Sequence, residues 1–173
     1  MKRNALSSSV GLATRGVVAG IVGTAFMTAW QEIVAHFRRH SMPKVLHQEE
    51  NADPWEKAPA PAQVGRLFVK GVLKRDVPPA RIPLFTNAVH WMFGTGMGAM
   101  YGLLHGTLRR RPAVDGPLFG LGVWAQSYAT LVPMGLYKPP WQYPAKSIAK
   151  DISYHLVYGA GTAAGYKLVE RVR

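Results

Sequence analysis

Two carboxylate–histidine pairs occur in this chain with the same spacing. Glu32 and His36 are four residues apart, and so are Asp151 and His155. On a helix this spacing puts both side chains on one face, where the carboxylate favours the protonated imidazole. His90 is a further histidine, at the start of an apolar segment. With Gln126, a polar residue inside an apolar stretch, six residues are candidates for proton or ion chemistry: Glu32, His36, His90, Gln126, Asp151 and His155.

Three interpretations of these side chains stay open. The first is simple pairing at a membrane interface, with Asp151 stabilised by the dipole at the start of its helix. The second is a proton-responsive cluster of His90, His155 and Glu32, because histidine titrates near neutral pH. The third is a metal site on the same three side chains, since imidazole and carboxylate bind zinc, nickel or non-haem iron. The spacing contains no HExxH-type pair, so we assign no catalytic residue and expect no cofactor.

Gln126 differs from the other candidates because it lies in the middle of an apolar stretch. We expect its amide to make a hydrogen bond between helices or, alternatively, to line a pore or a substrate path. Pro133 follows in the same stretch and predicts a kink there.

Four long apolar segments would position these residues. Lysine, arginine, aspartate and glutamate are absent from 16–31, 87–108, 116–137 and 152–166. With a few tolerable flanking residues, each segment reaches the roughly 20 residues with which a helix crosses a bilayer. We predict an all-α integral membrane four-helix bundle, a single transmembrane domain over 1–173, with spans at about 14–37, 87–108, 116–137 and 149–169. The alternative is a water-soluble bundle with unusually apolar helices.

The connections between these spans differ in length. The first is a long loop over 38–86, polar and rich in proline and alanine at its start. Within it, residues 62–75 are amphipathic, with three basic side chains at four-residue intervals. This pattern predicts a short helix that lies in the membrane interface, caps the bundle, or does both. The sequence RRRPAVD over 109–115 predicts a tight turn, and the third connection is a short loop.

An internal repeat links the two halves of the chain. HWMFGTGMGAMY (residues 90–101) and HLVYGAGTAAGY (residues 155–166) share the histidine, an aromatic residue, glycines and the terminal tyrosine. A Gly-x-x-x-Gly pair precedes each copy (residues 16–20 and 116–120), and a Pro-Trp dipeptide lies in each intervening loop. We interpret this as two duplicated transmembrane hairpins related by an axis along the membrane normal.

The glycines of the repeat are placed for helix packing. Rows of small residues at four-residue intervals let helix backbones approach closely in a membrane. The repeated segment is therefore predicted to be a packing surface, either against other spans or against a second copy of the chain. The packing candidates are Gly94, Gly98, Gly102, Gly106, Gly159, Gly161 and Gly165.

The charge balance is strongly basic, with a formal net charge of +12. Because the basic residues flank apolar spans and no nucleic-acid motif accompanies them, we expect contacts with anionic lipids and none with nucleic acid. Other expected partners are a second copy of the chain or another membrane protein. The chain has no cysteine, which excludes disulfides, thiolate metal ligands and cysteine nucleophiles.

The N-terminal segment has the basic start and apolar run of a signal peptide, but no clear small-x-small cleavage site follows. We interpret it as a retained first span, with an organelle transit peptide as the alternative. Three arginines in the short connection at 109–111 favour both termini in the cytoplasm, whereas Arg38 and Arg39 favour the opposite orientation.

The third span and its flank, GPLFGLGVWAQSYATLVPMGLYKPPWQYP, resemble the YagU-like family of small bacterial inner-membrane proteins. The similar features are a glycine-rich start, Ala-Gln at 125–126, Pro-x-Gly-Leu at 133–136 and Pro-Pro-Trp at 139–141. Residues 151–158 are also similar, so the resemblance covers the second half of the chain. It implies a helical protein of a bacterial inner membrane. The family has no agreed activity, so no catalytic residue is implied.

These patterns favour a non-enzymatic role, as an envelope or stress-associated membrane protein or as an accessory subunit that packs through glycine faces. The alternative is a proton- or ion-coupled transporter or channel that uses the histidine and carboxylate candidates. A transporter requires a polar cavity that reaches Gln126. An accessory protein requires glycines that are used within the chain.

Overall fold

Five α-helices build the described part of the chain, in which no β-strand occurs. The computed structural model describes residues 2–41, 53–108 and 112–171, with side chains described over 9–39, 53–105 and 114–171. The prediction of an all-α fold is confirmed. In chain order the helices are α1 (Lys2–Ser41), α2 (Ala60–Phe68), α3 (Ile82–Leu108), α4 (Pro112–Leu131) and α5 (Ala145–Arg171).

One helix of the described chain is long and apolar enough to cross a membrane. It is the Ser9–Arg39 part of α1, with a mean hydropathy of 1.5. The helices α3, α4 and α5 are also long, but their many glycine, tyrosine, tryptophan and histidine residues lower their mean hydropathy. The structure therefore supports one helix of spanning composition directly.

The helix α1 is central in the packing. It lies along both α3 and α5, and α5 lies along α4, so the helices are ordered α3–α1–α5–α4. The consecutive helices α3 and α4 have few close backbone contacts. Leu12 of α1 lies beside Gly102 of α3, at what we call the turn end of the bundle. Trp30 of α1 donates a hydrogen bond to the Ser153 hydroxyl of α5 at the opposite end, the loop end.

Glycines form the interfaces between the long helices. A Cβ atom on Gly20 would lie 2.7 Å from the Gly94 carbonyl oxygen and 2.8 Å from the Gly98 α-carbon, so α1 and α3 touch backbone to backbone. In the other half, a Cβ on Gly116 would lie 2.8 Å from the Gly159 carbonyl oxygen, and α4 meets α5 in the same way. Side chains larger than hydrogen cannot fit at these positions without moving a helix.

Helix α4 ends earlier than the predicted third span. It begins at Pro112, where the missing N–H of proline costs no hydrogen bond, and it stops at Leu131. Gly135 then adopts a φ of 71°, and the N–H of Leu136 bonds back to the Leu131 carbonyl. Pro133 therefore lies after the helix, and the predicted kink at this residue is wrong.

The long loop forms a small core of its own. Trp55 is 3% exposed, packs with Ala62 and Val77, and donates a hydrogen bond from its indole to the Val77 carbonyl oxygen at 3.1 Å. Arg66 of α2 lies over the Trp55 ring, 4.8 Å from its centroid. The helix α2 therefore caps α3, and it continues as a π-helical turn over Val69–Leu73.

The other side of α2 is apolar and open. Phe68 and Val72 are 65% and 61% exposed, and Leu67 and Leu73 are exposed beside them. A helix with one face on the bundle and a second apolar face unpartnered suits a position in a membrane interface. Of the two positions predicted for residues 62–75, the structure shows the packing against the bundle, and the interfacial position stays a prediction.

Candidate functional site

The pair Glu32 and His36 lies on the outside of α1. Glu32 makes an exposed ion pair with Arg39, with 4.0 Å between Oε2 and Nη2. The His36 ring packs edge-on against Phe37, with 6.1 Å between their centroids. Exposed ion pairs contribute little to stability. This first carboxylate–histidine pair is therefore a surface feature of α1.

The pair Asp151 and His155 lies between α4 and α5 at the loop end. The His155 Nδ1 atom is 2.9 Å from the Asp151 carbonyl oxygen, which can only accept, so Nδ1 bears the proton. Trp124 of α4 donates from its indole to Asp151 Oδ2 at 3.1 Å. Asp151 therefore fastens α5 to α4, while the His155 side chain bonds within α5.

His90 is partly buried on α3, and its buried Nε2 atom has no hydrogen-bond partner among the described residues. His155 is close enough to act on it electrostatically. Tyr158, one turn after His155, donates a 2.6 Å hydrogen bond from its hydroxyl to the Gly94 carbonyl oxygen. The two repeated histidine segments thus meet across the bundle.

The weak metal candidates His90, His155 and Glu32 do not form a three-ligand site. Within the described residues, no three histidine, aspartate or glutamate side chains form a group that could hold a metal ion. Glu32 also faces outward, toward Arg39. At the loop end, the polar contacts of Asp151 and His155 are therefore structural.

The glycine candidates are placed in helix interfaces wherever the structure describes them. Gly94, Gly98 and Gly102 lie against α1, and Gly159 lies against α4. Gly161 and Gly165 lie against α1, with Phe26 and Val22 as their nearest neighbours. The contacts of Gly106 lie outside the described residues. All six described candidates therefore face another helix of the same chain.

A second polar cluster, which the sequence patterns do not predict, lies at the turn end. His105 of α3 and Asp115 of α4 lie 3.9 Å apart between Nδ1 and Oδ2, with side chains only 11% and 14% exposed. The His105 ring stacks on Tyr101, and it meets Tyr166 edge-on with 5.0 Å between centroids. Tyr101 and Tyr166 end the two repeated segments, and His105 follows Tyr101 by one helical turn. The four-residue interval from Tyr101, at the end of the first repeated segment, to His105 is the sequence signal that could have located the cluster.

Several buried polar atoms of this cluster lack partners. The Tyr101 hydroxyl, His105 Nδ1 and Asp115 Oδ2 make no hydrogen bond with the described residues. Leaving such a group unpaired costs about 1–3 kcal/mol. Arg15 and Glu170 also act on Tyr166 electrostatically, so charges of both signs surround the cluster. A group that supplies the missing hydrogen bonds would be held firmly there.

A groove between α3 and α4 connects this cluster to Gln126. Its volume is about 380 Å³. Tyr101, Phe119 and Val123 form its floor, and the exposed side chains of Met100, Leu104 and Leu118 form its rim. His105 and Asp115 close one end. We call this space the α3–α4 groove.

Gln126 lines the far end of the α3–α4 groove. Its amide donates to the Thr130 hydroxyl at 3.1 Å, one turn along the same helix. The side chain therefore makes a hydrogen bond within α4. Among the described residues, the predicted hydrogen bond from Gln126 to another helix does not occur.

Comparison of the chain with protein-family models, curated proteins and solved structures gives no match.

Proposed function

We infer that this chain is a four-span membrane protein that acts without catalysis, as a binding or accessory protein of a bacterial inner membrane. One observation supports the inference most: many large apolar side chains lie on the outside of the bundle, while alanine and threonine side chains are fully buried beside its tyrosines. Ala19, Thr24 and Thr162 are fully buried, whereas Phe26 and Met92 are more than half exposed. A water-soluble bundle has the opposite distribution, because water expels large apolar side chains.

The interior of the bundle supports the same proposal. The backbones meet at Gly20 and Gly98, and the hydroxyl of Thr24 bonds to the carbonyl oxygen one turn earlier in its own helix. Helices in lipid associate through such close contacts and small polar groups, since no hydrophobic effect acts between them. The described glycine candidates are used within the chain, as an accessory protein requires.

The transporter alternative has less support. It needs a polar passage, but the α3–α4 groove is lined mainly by methionine, leucine, phenylalanine and valine, and polar groups stand only at its two ends. A groove of this kind suits a guest with an apolar body better than a hydrated ion.

Single-cysteine labelling tests the proposed topology, because the chain has no cysteine of its own. We would introduce Trp141→Cys at the loop end, Leu168→Cys at the turn end and Ile21→Cys in the middle of α1. All three positions are exposed. A membrane-impermeant maleimide should label Trp141→Cys in intact cells, Leu168→Cys only after lysis, and Ile21→Cys only after detergent treatment.

The labelling pattern distinguishes the alternatives. Labelling of Trp141→Cys and Leu168→Cys from the same side would contradict the four-span arrangement. Rapid labelling of Ile21→Cys in intact membranes would show that this face of α1 meets water, and the soluble bundle would be the better interpretation. If Leu168→Cys were labelled in intact cells and Trp141→Cys only after lysis, the four spans would stand and only the proposed orientation would be wrong.

A further inference from the structure

The α3–α4 groove is open, whereas the pairs α1–α3, α1–α5 and α4–α5 are closed. Residues 96 and 100 stand in the first repeated segment where Gly161 and Gly165 stand in the second. Gly161 and Gly165 pack against α1, but a Cβ on Gly96 would meet no atom within 4 Å. At the position of the second glycine, α3 has Met100, which is 42% exposed on the groove rim. The face of α3 that corresponds to the closed face of α5 therefore has no helix on it.

The groove has the two parts of a site for an amphiphile. Its long part is apolar and runs over Phe119 and Val123. Its turn end has the Tyr101 hydroxyl, His105 Nδ1 and Asp115 Oδ2, which lack hydrogen-bond partners among the described residues. Tyr101 is 3% exposed and lines the groove, so its hydroxyl is a buried polar group without a partner at this site. An apolar channel that ends in unpaired donors and acceptors selects a guest with one polar end.

We propose that the α3–α4 groove binds a long-chain lipid alcohol, with its apolar chain over Phe119 and Val123 and its hydroxyl between Tyr101, His105 and Asp115. The proposal rests on the proposed membrane location, which would put the exposed rim of the groove in contact with lipid. A hydroxyl both donates and accepts. It can donate to Asp115 Oδ2 and accept from the Tyr101 hydroxyl, and it satisfies both groups at once.

The charges around the site favour an uncharged head. A phosphate or carboxylate head would meet the Asp115 carboxylate, and a quaternary ammonium head could not donate to it. The positive Arg15 and the negative Glu170 both act on Tyr166, next to His105. A neutral hydroxyl is therefore the head that opposes neither charge and gives hydrogen-bond partners to the Tyr101 hydroxyl and Asp115 Oδ2.

The test is photolabelling of the purified full-length chain in lipid nanodiscs. The probe is a long-chain primary alcohol with a diazirine in its chain, and the labelled peptides are identified by mass spectrometry. We expect labels on α3 and α4 around Met100, Leu118 and Gly122. The matching unlabelled alcohol should displace the probe, and the carboxylic acid, phosphate monoester and trimethylammonium analogues of equal length should displace it on the order of tenfold less well.

A matched pair of glycine variants provides the control. Gly122 lines the groove, Gly96 lies outside its lining, and a Cβ at either would meet nothing within 4 Å. Gly122→Leu should fill the groove and reduce labelling about tenfold, whereas Gly96→Leu should leave it unchanged. Asp115→Asn should reduce the preference for the alcohol over its methyl ether, which cannot donate.

Each result bears on the proposal separately from the topology. Equal labelling of all lipid-facing helices, or labelling that Gly122→Leu does not reduce, would overturn it. Better displacement by the phosphate analogue would replace the proposed alcohol by an anionic lipid. A cross-linked dimer through α3 and α4 would show that a second copy fills the groove. If cysteine labelling supports four spans and photolabelling fails, only the lipid proposal is wrong.

Discussion

Gly20 of α1 and Gly98 of α3 face each other so closely that a methyl group on Gly20 would lie 2.8 Å from the Gly98 α-carbon. Two helices can approach to this distance only where both lack a side chain. The contact lies in the first copy of the repeated pattern. It shows what the glycine row of α3 does in the fold: it brings α3 onto the central helix.

The first prediction compares two glycines on α3. Gly98→Ala should destabilise the protein by about 1–3 kcal/mol, because the new methyl group would overlap the backbone of α1. Gly96→Ala should stabilise it by about 0.5–1 kcal/mol, because alanine favours a helix and this position is open. Unfolding in detergent, followed by circular dichroism, measures both. Equal effects of the two substitutions would contradict the described α1–α3 interface.

The second prediction compares the two Pro-Trp dipeptides. Trp55 is buried and hydrogen-bonded to Val77, whereas Trp141 is 81% exposed. Trp55→Phe should lower the stability of the loop by about 0.5–1.5 kcal/mol for the lost hydrogen bond, with a further loss of packing. Trp141→Phe should have almost no effect on stability. The rate of limited proteolysis between residues 53 and 81 measures the stability of the loop in each variant.

The result would also compare the two Pro-Trp loops on which the predicted duplication depends. If Trp141→Phe exposed the chain to proteolysis as strongly as Trp55→Phe, the two loops would have equivalent roles, contrary to their different burial. The expected difference means that the likeness of the two Pro-Trp dipeptides is one of sequence, while their surroundings differ.

The third prediction concerns the ion pair of Lys70 and Asp76, with 2.8 Å between Nζ and Oδ1. Its hydrogen bond and positive charge lower the pKa of the Asp76 carboxyl below 3.8. A lowered folded-state pKa means that the pair stabilises the loop above the unfolded-state pKa. That contribution is lost as the pH falls from about 3.8 through the lower folded value. The effect is small because Asp76 is fully exposed.

Carbon-13 titration of the Asp76 carboxyl measures this pKa. Lys70→Met should raise the midpoint toward 3.8. Lys74→Met removes a charge two residues away in the sequence that forms no ion pair with Asp76, and it should leave the midpoint close to that of the unaltered chain. A midpoint that does not respond to Lys70→Met would show that the pair does not form in solution.

The sequence permits prediction of the helices and of their packing faces. Charge-free windows give the helix positions because helices without formal charges can be buried or lie in lipid. The glycine rows give the contact faces because only glycine tolerates backbone contact. The described contacts of Gly94, Gly98, Gly102 and Gly159 follow from such patterns. The exact ends of α4 do not, because the turn after Leu131 depends on a backbone hydrogen bond and on the positive φ of Gly135.

How the two hairpins join cannot be predicted in the same way. The hairpin interpretation pairs α1 with α3 and α4 with α5, but nothing in the local sequence states that α1 packs on α5 while α3 and α4 stay apart. The His105–Asp115 cluster follows from this arrangement. Asp115 looks like a residue of a charged turn, and only its position in the first turn of α4, opposite His105, gives it a buried partner. Sites built across helices are therefore found from the fold.

The order α3–α1–α5–α4 has a consequence for how the chain assembles during its synthesis. The first hairpin is complete once α3 has emerged from the ribosome, because its partner α1 is already present. In contrast, α4 emerges without a helix to pack on, and its glycine face at Gly116 and Gly120 stays open until α5 has been made. The last helix thus completes the second hairpin and joins it to the first. In a nascent chain that stops before residue 145, α4 has no partner helix, and the proteases that remove unassembled proteins can degrade it.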